Sequence, residues 1–456
     1  MKQIKWIYGV LFGALTVLWL LAEQPWARSY DFFKLRAVVV DYTGFIAMGA
    51  MSLAMILAIR PVRLEPWLGG LDKSYRLHKW LGITALATGA VHWLWATGAK
   101  WAVGWGWLVK PERGPRPVVD ESIQLSLWES LEHHVRGMRK IAEFLGEWTF
   151  YIAAVLIALA LIKRFPYRYF FHTHRIIAVA YLVLVFHSVY LIKFAHWTSL
   201  SPIAWVSLLL MVGGTVGAVL SLTRQIGHQR RALGVVETLK HSASDEVMEV
   251  HVRLPKDRWD GHDAGQFAFV SFYGNNGGEA HPFTISSAWK NDGLLRFHVK
   301  NLGDHTSRLP KTLKEGDRAK VEGPYGCFRF ESDKPRQIWV AGGIGITPFL
   351  ARMEEFAHHA PSKVAVDLFY CVKNPDEVFV ENLTQLAKAA GTTLHVLVDG
   401  RDPLLNAEKL CVEVLEWRDA SLWFCGPSGF GQALLKGLVS HGFEAKYFHQ
   451  ELFEMR

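Results

Sequence analysis

Cysteine is scarce in this sequence, and long runs of a single charge are missing. The four cysteines, Cys327, Cys371, Cys411 and Cys425, are far apart, with no CxxC pair. This spacing excludes a disulfide scaffold and a zinc or iron–sulfur site built on cysteine. Charged residues make up 20% of the 456 residues, and the formal net charge is +8. Because no Lys/Arg run is long enough for a nucleic-acid surface, we predict no nucleic-acid partner.

Apolar residues are plentiful but unevenly distributed. Half of the residues are hydrophobic and 13% are aromatic, which excludes a disordered chain. Fourteen of the 19 tryptophans precede residue 206, whereas all four cysteines follow residue 320. The length allows two or three domains. We therefore expect a front half embedded in a lipid bilayer and a soluble back half.

Six apolar runs occupy the front half, and each approaches the ~20 residues that cross a ~30 Å hydrocarbon layer. They cover residues 6–22, 42–59, 77–97, 147–162, 175–195 and 202–223. The first run follows two lysines as in a signal peptide, but no small-residue cleavage site precedes Glu23, which predicts an uncleaved helix. We predict a six-helix membrane bundle over residues 1–225. Since the first and fourth runs are short, five spans are the alternative.

The basic residues predict the orientation of this bundle. The short segments 60–76, 163–175 and 224–231 are rich in Lys and Arg, whereas the segment after the fifth run offers only Lys193. The positive-inside rule places short basic segments in the cytoplasm. We therefore predict an integral protein of the plasma or inner membrane with both termini and the soluble half in the cytoplasm.

Four histidines occur at matching depths in two of the predicted helices: His78 and His92 in the third, His174 and His187 in the fifth. Ionisable groups inside a membrane are costly and therefore indicate function. Along the helix axis, His78 and His92 are separated by about 21 Å, and His174 and His187 are separated by about 19.5 Å. Two parallel helices would thus form an inner and an outer His–His level. Neutral imidazole is a good axial ligand of haem iron, so we predict two stacked haems.

The inner level has a second candidate ligand. Thirteen residues at 100° each bring His174 and His187 to nearly opposite faces of a helix, which requires a local irregularity or haems at different azimuths. His172, fifteen residues before His187, fits one face better, and geometry alone leaves both candidates open. Three further histidines lie in outer segments and are expected to be solvated: His133, His134 and His196.

The back half predicts two soluble domains. Over residues 230–331, short strands separated by Gly, Asn and Asp predict an antiparallel β-barrel. Over residues 335–456, strands alternate with helices, which predicts a parallel α/β sheet. Its first strand runs into the glycine turn 342–348, a strand-to-helix turn that suits a pyrophosphate. Cys425-Gly426-Pro427 ends a later strand, where open α/β sheets place ligands.

Together these features resemble the ferric reductase and NADPH oxidase family of membrane flavocytochromes b. The resemblance extends over nearly the whole chain. It rests on the paired histidines, the motifs HPFTISS, GPYG, AGGIGITP and CGP, and a C-terminal aromatic residue. It implies a ferric reductase-like transmembrane domain, a FAD-binding barrel of the ferredoxin reductase type and a NAD(P)-binding domain. It also selects His174, which Arg175 follows, over His172.

The resemblance assigns site residues in the back half. It implies FAD contacts from His281, Pro282, Phe283, Thr284, Ser286, Ser287, His298, Lys300, Gly303 and Thr306. Through its AGGIGITP and CGP motifs, the resemblance also implies nicotinamide nucleotide binding at Gly342, Gly343, Gly345, Thr347, Pro348, Gly426 and Pro427. The resemblance also implies that Cys425 lies beside the nicotinamide and that Phe453 covers the flavin ring. Many soluble relatives carry Arg at the position of His281, so the phosphate contact of that Arg is not implied here.

The expected activity is transmembrane electron transfer. A nicotinamide gives up two electrons as hydride whereas a haem accepts one, so a flavin is needed between them. The expected route runs from cytoplasmic NAD(P)H through FAD and two haem b groups to O2 or ferric iron on the opposite face. Lys373 could pair with a 2′-phosphate, which favours NADPH over NADH. A haem-bearing anchor for a partner protein and a His-lined transporter are the alternatives.

Overall fold

The computed structural model describes most of the chain. The described residues are 2–27, 31–109, 126–162, 165, 167–199, 201–242, 246–273, 278–358 and 364–451. They form two compact units. The first contains Met1–Pro61 and Lys73–Ile226, and the second contains Val62–Asp72 and Gly227–Met455. The short segment Val62–Asp72 therefore packs with the second unit, which the sequence pattern did not predict.

Among the described residues before the first strand, eight α-helices form most of the structure. In order they are α1 (Lys2–Glu23), α2 (Phe32–Ala58), α3 (Glu65–Leu68), α4 (Leu71–Gly104), α5 (Leu127–Leu161), α6 (Tyr167–Leu191), α7 (Phe194–Thr198) and α8 (Pro202–Leu222). Side-chain caps begin two of the long helices. Asp31 accepts the Lys34 N–H at 2.8 Å, and Ser126 with Glu129 forms a capping box.

Among the described residues, five helices are long and apolar enough to cross a membrane: Gln3–Glu23, Phe32–Ala58, Leu127–Leu161, Tyr169–Leu191 and Pro202–Leu222. The chain is thus an integral membrane protein. The remaining predicted span, α4, has 34 residues and a length of about 51 Å, but it is less apolar, since its first turns carry several charged residues. The count of six spans therefore stays a prediction.

Small residues let α2 and α8 approach closely. A side-chain carbon added at Gly217 of α8 would lie 2.4 Å from the Met55 carbonyl oxygen of α2. The hydroxyl groups of Ser52 and Tyr181 are hydrogen-bonded at 2.9 Å, which joins α2 to α6. Close packing of small residues and buried hydroxyl contacts replace the hydrophobic effect inside a bilayer.

After Gly227, the second unit first forms a six-stranded antiparallel sheet. Its strands are β1 (Arg231–His241), β2 (Val247–Arg253), β3 (Phe267–Tyr273), β4 (His281–Thr284), β5 (Leu294–Lys300) and β6 (Arg318–Tyr325), with the short helix α9 (Leu309–Thr312) before β6. The strand order is β4-β3-β6-β1-β2-β5. An antiparallel bridge between Ile285 and Phe297 links the two edges into a nearly closed barrel, as predicted for the FAD domain.

A parallel five-stranded sheet follows. Its elements are β7 (Arg336–Gly342), α10 (Thr347–His358), β8 (Ala365–Val372), α11 (Glu377–Ala390), β9 (Thr392–Val398), α12 (Ala407–Glu413), β10 (Ala420–Cys425), α13 (Ser428–Ser440) and β11 (Phe448–Gln450). The strand order is β11-β10-β7-β8-β9. The chain leaves β7 towards β8 and β9 and then returns to the other side of β7. The carboxyl ends of β7 and β10 therefore form the topological switch point, where such sheets bind ligands.

Candidate functional site

Two pairs of facing imidazoles lie inside the helical unit. The ring centres of His78 and His174 are 5.8 Å apart, and those of His92 and His187 are 6.3 Å apart. The two sites thus pair α4 with α6, as the sequence spacing predicts. His172 is exposed instead. Since α6 is continuous, the offset between its two histidines needs no irregularity in the helix.

Backbone carbonyl groups orient three of these rings. The Nδ1 atom of His78 lies 2.9 Å from the Ala54 oxygen, that of His92 lies 2.9 Å from the Val40 oxygen, and that of His187 lies 2.7 Å from the Ala142 oxygen. A carbonyl can only accept, so each Nδ1 carries the proton and each Nε2 keeps its lone pair. Hydrogen bonds of this kind orient metal-binding histidines. The fourth ring, His174, stacks on Phe170 at 5.0 Å.

These pairs fit axial ligation of haem iron. A metal about 2 Å from one nitrogen of each ring, with each nitrogen about 1 Å from its ring centre, requires ring centres about 6 Å apart. Both observed separations are close to this value. The four histidines therefore provide two suitable donor sets.

Glycines beside the rings make room for them. A side-chain carbon at Gly146 of α5 would lie 2.0 Å from Nδ1 of His187, and one at Gly44 of α2 would lie 3.1 Å from Nδ1 of His92. Only a residue without a side chain fits at Gly146. Sequence reasoning missed both positions, although small residues opposite a histidine in a neighbouring helix are a usable signal.

We expect Gly146→Ala to disrupt the pair formed by His92 and His187, which is the predicted outer level and is called the outer pair below. The added methyl group would displace the His187 ring from the Ala142 carbonyl, so the haem content of the purified protein should fall from the predicted two to about one per chain. Pyridine haemochrome analysis measures this ratio. Gly137→Ala, on the exposed part of α5 with no atom within 4 Å, is the matched control and should retain both haems. An unchanged haem content in Gly146→Ala would contradict the prediction.

The outer pair borders a cavity of about 410 Å³. Its lining includes His92, His187 and the cationic side chains Arg36, Lys100 and Arg139. At its edge, Glu23 accepts hydrogen bonds from Lys193 at 2.7 Å and His196 at 2.8 Å. The expectation that His196 is solvated is therefore wrong, because this imidazole is largely buried against the carboxylate of α1. His133 and His134 are exposed, as expected.

The first predicted FAD segment forms the edge strand β4. Pro282 and Phe283 pair with β3, and an edge strand tolerates proline. His281 stacks on His305 with ring centres 4.1 Å apart. Burial lowers the pKa of His281, and burial together with His281 lowers the pKa of His305 to about 4. Both rings are therefore neutral at neutral pH and offer hydrogen bonds rather than positive charge.

A potential metal-ligand cluster includes this stacked pair. The ligand atoms of Glu279, His281 and His305 lie within 4.8 Å of one another. Two imidazoles and a carboxylate are suitable for a transition metal. His281 is itself a predicted FAD residue, and His305 directly precedes Thr306, which is another. The cluster therefore overlaps the predicted FAD site.

The next predicted FAD residues are bound to each other inside the barrel. The Ser286 hydroxyl lies 2.8 Å from Nδ1 of His298, whose Nε2 lies 3.4 Å from Glu249. Burial would raise the pKa of Glu249, but hydrogen bonds from His251 and His298 outweigh it and hold that pKa well below its usual range. Burial lowers the pKa of His298. These contacts order the strands behind the site.

The remaining predicted FAD residues lie around this network. Ser287 accepts hydrogen bonds from the Arg296 N–H and, through its carbonyl, from His262. Thr284 is buried at the end of β4. The Thr306 hydroxyl accepts the Gly303 N–H at 3.1 Å and so closes an exposed turn. Lys300 lies at the end of β5, 3.7 Å from a carboxylate oxygen of Glu246.

The predicted nucleotide residues meet at the switch point of the parallel sheet. A side-chain carbon at Gly345 would lie 2.1 Å from the Cys425 carbonyl oxygen, and one at Gly342 would lie 2.7 Å from Cδ of Pro427. The two predicted loops are therefore packed backbone against backbone. Pro348 and Thr347 begin α10, whose N-terminus favours a phosphate group. Gly343 has a φ of +55°, which favours glycine.

Cys425 and Glu451 lie beside this crossing. Burial raises the pKa of the Cys425 thiol well above its usual value, and the Glu451 carboxylate raises it further. The thiol is thus uncharged and is suited to packing rather than nucleophilic attack. Glu451 is itself buried and was missed by sequence reasoning. Phe453, the predicted aromatic cover of the flavin, lies outside the described residues.

Three family models match the chain in the order of its domains. They are the ferric reductase like transmembrane component at residues 43–185, the FAD-binding domain at 233–341 and the oxidoreductase NAD-binding domain at 339–434. A respiratory burst oxidase relative matches as well. The putative respiratory burst oxidase homolog protein G of Arabidopsis thaliana is 26% identical over 214 residues, which are 42% of this chain and 24% of the relative.

Together, the three models and this relative match the ferric reductase and NADPH oxidase family. The FAD-binding and NAD-binding domains indicate an NAD(P)H-dependent oxidoreductase, as the sequence motifs predict.

Other relatives share only part of their length with this chain. The vanillate O-demethylase oxidoreductase of Pseudomonas putida is 29% identical over 35% of this chain and 50% of the relative, and the flavohemoprotein of Vibrio cholerae is 27% identical over 38% and 46%. The chain thus spans half or less of the length of these curated relatives. The solved FAD/NAD-binding domain of a Vibrio cholerae nitric oxide dioxygenase covers 48% of this chain and 97% of its own, at 23% identity and a TM-score of 0.41.

Proposed function

We propose that this protein carries electrons across the membrane, from cytoplasmic NAD(P)H to O2 or ferric iron on the opposite face. The observation that carries the proposal is the pair of facing His–His sets inside the helical unit, joined in one chain to FAD-binding and NAD-binding domains. Bound FAD would convert the hydride of a nicotinamide into single electrons, and two haem b groups would pass these on one at a time.

The residues of the chain would hold and orient these groups. His78 with His174 and His92 with His187 would supply the axial ligands, and the carbonyls of Ala54, Val40 and Ala142 keep three of the rings in the tautomer that leaves Nε2 free. The β4 segment and the turn at Gly303 and Thr306 would bind the flavin. The crossing of the two loops at Gly345 and Cys425 would hold the nicotinamide nucleotide.

The proposed topology has six spans, with α4 as the third. A haem-carrying helix has to run through the bilayer, and the charged first turns of α4 suit the cytoplasmic interface. Both termini and the second unit would then be cytoplasmic. The membrane potential favours outward electron flow, since the free energy of an electron falls by about 2.3 kcal/mol per 100 mV when it leaves a negative cytoplasm.

We propose that the electron acceptor is either ferric iron or O2. The matching transmembrane model is named for ferric reductases, and the Arabidopsis relative is named as an oxidase. Cations around the outer cavity, such as Arg36 and Lys100, would stabilise a reduced anionic product such as superoxide.

A visible spectrum and two acceptor assays test this function. Purified protein should show a sharp reduced α band and about two haems per flavin, whereas a His-lined transporter would show no band and an anchor would lack flavin. With NADPH added, superoxide dismutase-sensitive dye reduction would identify O2 as acceptor, and ferrozine-trapped Fe(II) would identify ferric iron. If neither signal exceeds background, the proposal is wrong.

We expect Lys373 to set the nucleotide preference. It is exposed directly after β8, where its ammonium group can pair with a 2′-phosphate. In Lys373→Ala the ratio of kcat/KM for NADPH to that for NADH should fall about tenfold, and the NADH value should stay constant. Steady-state dye reduction with each nucleotide measures the ratio. An unchanged ratio would exclude Lys373 from nucleotide recognition.

A further inference from the structure

The segment between α2 and α4 is anchored in the second unit by one buried carboxylate. Oε1 of Glu65 accepts the Gly326 N–H at 2.6 Å and the Leu71 N–H at 3.1 Å. Its relative exposure is only 6%. A buried carboxylate is costly unless such donors satisfy it, so the contact is specific.

The two donors belong to different parts of the proposed electron route. Leu71 is the first residue of α4, the helix that carries His78 and His92. Gly326 follows β6 and closes the GPYG turn of the flavin barrel. A carboxylate oxygen at the start of a helix also accepts N–H groups that lack helical partners. Burial raises the pKa of Glu65, whereas the two N–H donors and Arg230 oppose this rise.

The chain that leaves the last membrane helix reaches the same turn. Arg230 donates to the Pro324 carbonyl at 3.0 Å, and Arg231 pairs with Glu322 at 3.0 Å. Tyr325 also donates to Glu322 at 3.0 Å. The segment 62–72 and the segment that follows α8 are therefore both bonded to the strand end 322–326.

This strand end also contacts the region of the nicotinamide loop. A side-chain carbon at Gly326 would lie 3.2 Å from Oε1 of Glu451, the carboxylate that raises the pKa of Cys425. A displacement of the GPYG turn would therefore change contacts both at the start of α4 and beside the Cys425 thiol at the switch point.

We propose that Glu65 is a positioning residue that ties the start of α4 to the flavin barrel and thereby sets the rate of haem reduction by NADPH. This inference rests on the proposed function. Glu65 touches neither nucleotide nor haem ligand in this role. It acts through the backbone of Leu71 and Gly326.

Variants of Glu65 in the full-length protein test the proposal with three measurements. These are dye reduction by NADPH, stopped-flow haem reduction at the α band, and hydrogen exchange of the Leu71 and Gly326 amides. In Glu65→Ala we expect dye reduction within about twofold of wild type, haem reduction slowed about tenfold, and faster exchange at both amides. Glu65→Gln, which keeps an acceptor oxygen, should give a smaller effect of the same kind. Glu413→Gln, on the exposed face of α12, is the matched control.

Each outcome decides the question. Unchanged exchange in Glu65→Ala, or faster exchange with unchanged haem reduction, would overturn the proposal. Parallel loss of dye and haem reduction would indicate a merely structural role. If Glu65→Ala does not fold, Glu65→Gln provides the same comparison. Absence of a haem band in wild type would refute the proposed function and the rate effect, while the exchange data would still report whether the Glu65 contact exists.

Discussion

His92→Ala should abolish electron transfer to the outer acceptor. His92 faces His187 at 6.3 Å between ring centres and is held by the Val40 carbonyl, so its removal would eliminate one of the two proposed axial ligands of the outer haem. We expect haem content to fall from two to one per chain. Acceptor reduction should fall about a hundredfold or more, to background, because the route then ends inside the bilayer. Reduced-minus-oxidised spectra and the acceptor assays measure both effects.

The same variant should keep its reductase half intact. FAD content and dye reduction by NADPH are expected within about twofold of wild type, since the partners of this ring, Val40 and His187, both belong to the first unit. His133→Ala, an exposed histidine of α5, is the control for histidine loss and should change neither measurement. Retention of both haems in His92→Ala would show that the ligand assignment is wrong.

Gly345→Ala should produce the opposite pattern. The new methyl group would lie 2.1 Å from the Cys425 carbonyl oxygen, and this contact cannot be relieved by rotation of a side chain because the neighbouring atom is backbone. The two loops at the switch point must separate, which misplaces the nucleotide. We expect NADPH-driven dye reduction to fall about a hundredfold, since displacements near 1 Å have effects of this size. Steady-state kinetics with NADPH and a dye acceptor measures the loss.

Haem loading should be unaffected by Gly345→Ala. Dithionite bypasses the nucleotide and should reduce both haems to the wild-type α band. Gly137→Ala makes the same chemical change on an exposed helical face and should leave dye reduction unchanged. Wild-type activity in Gly345→Ala would mean that the loop crossing does not hold the nucleotide.

The two variants together separate the halves of the chain. One loses outward transfer with normal flavin chemistry, and the other loses flavin chemistry with normal haems. A protein in which the His pairs were merely structural would lose stability in His92→Ala without losing a defined fraction of haem. Thermal unfolding monitored alongside the spectra distinguishes these cases.

Much of the architecture follows from local pattern. Each of its signals lies within a few dozen residues of sequence. These signals are apolar runs long enough for a bilayer, alternating short strands, and a glycine turn after a buried strand. They predict the membrane helices, the barrel and the α/β domain in the correct order. Spacing of 14 and 13 residues likewise places the histidine pairs at matching depths. Apolarity alone does not settle the number of spans, because α4 combines charged turns with an apolar centre.

Contacts between residues distant in sequence could not be derived this way. The preference of His78 for His174 over His172 depends on how α6 is rotated against α4, and pattern alone left both open. Nothing in the sequence distinguishes Gly146 from other glycines. Only the structure shows that a side-chain carbon there would lie 2.0 Å from Nδ1 of His187 in the next helix. The partners of three rings are backbone carbonyls, which every residue has and no motif marks. Glu65 and Gly326 are 261 positions apart, and only the folded chain brings a carboxylate near that N–H, since its burial depends on the packing of both segments.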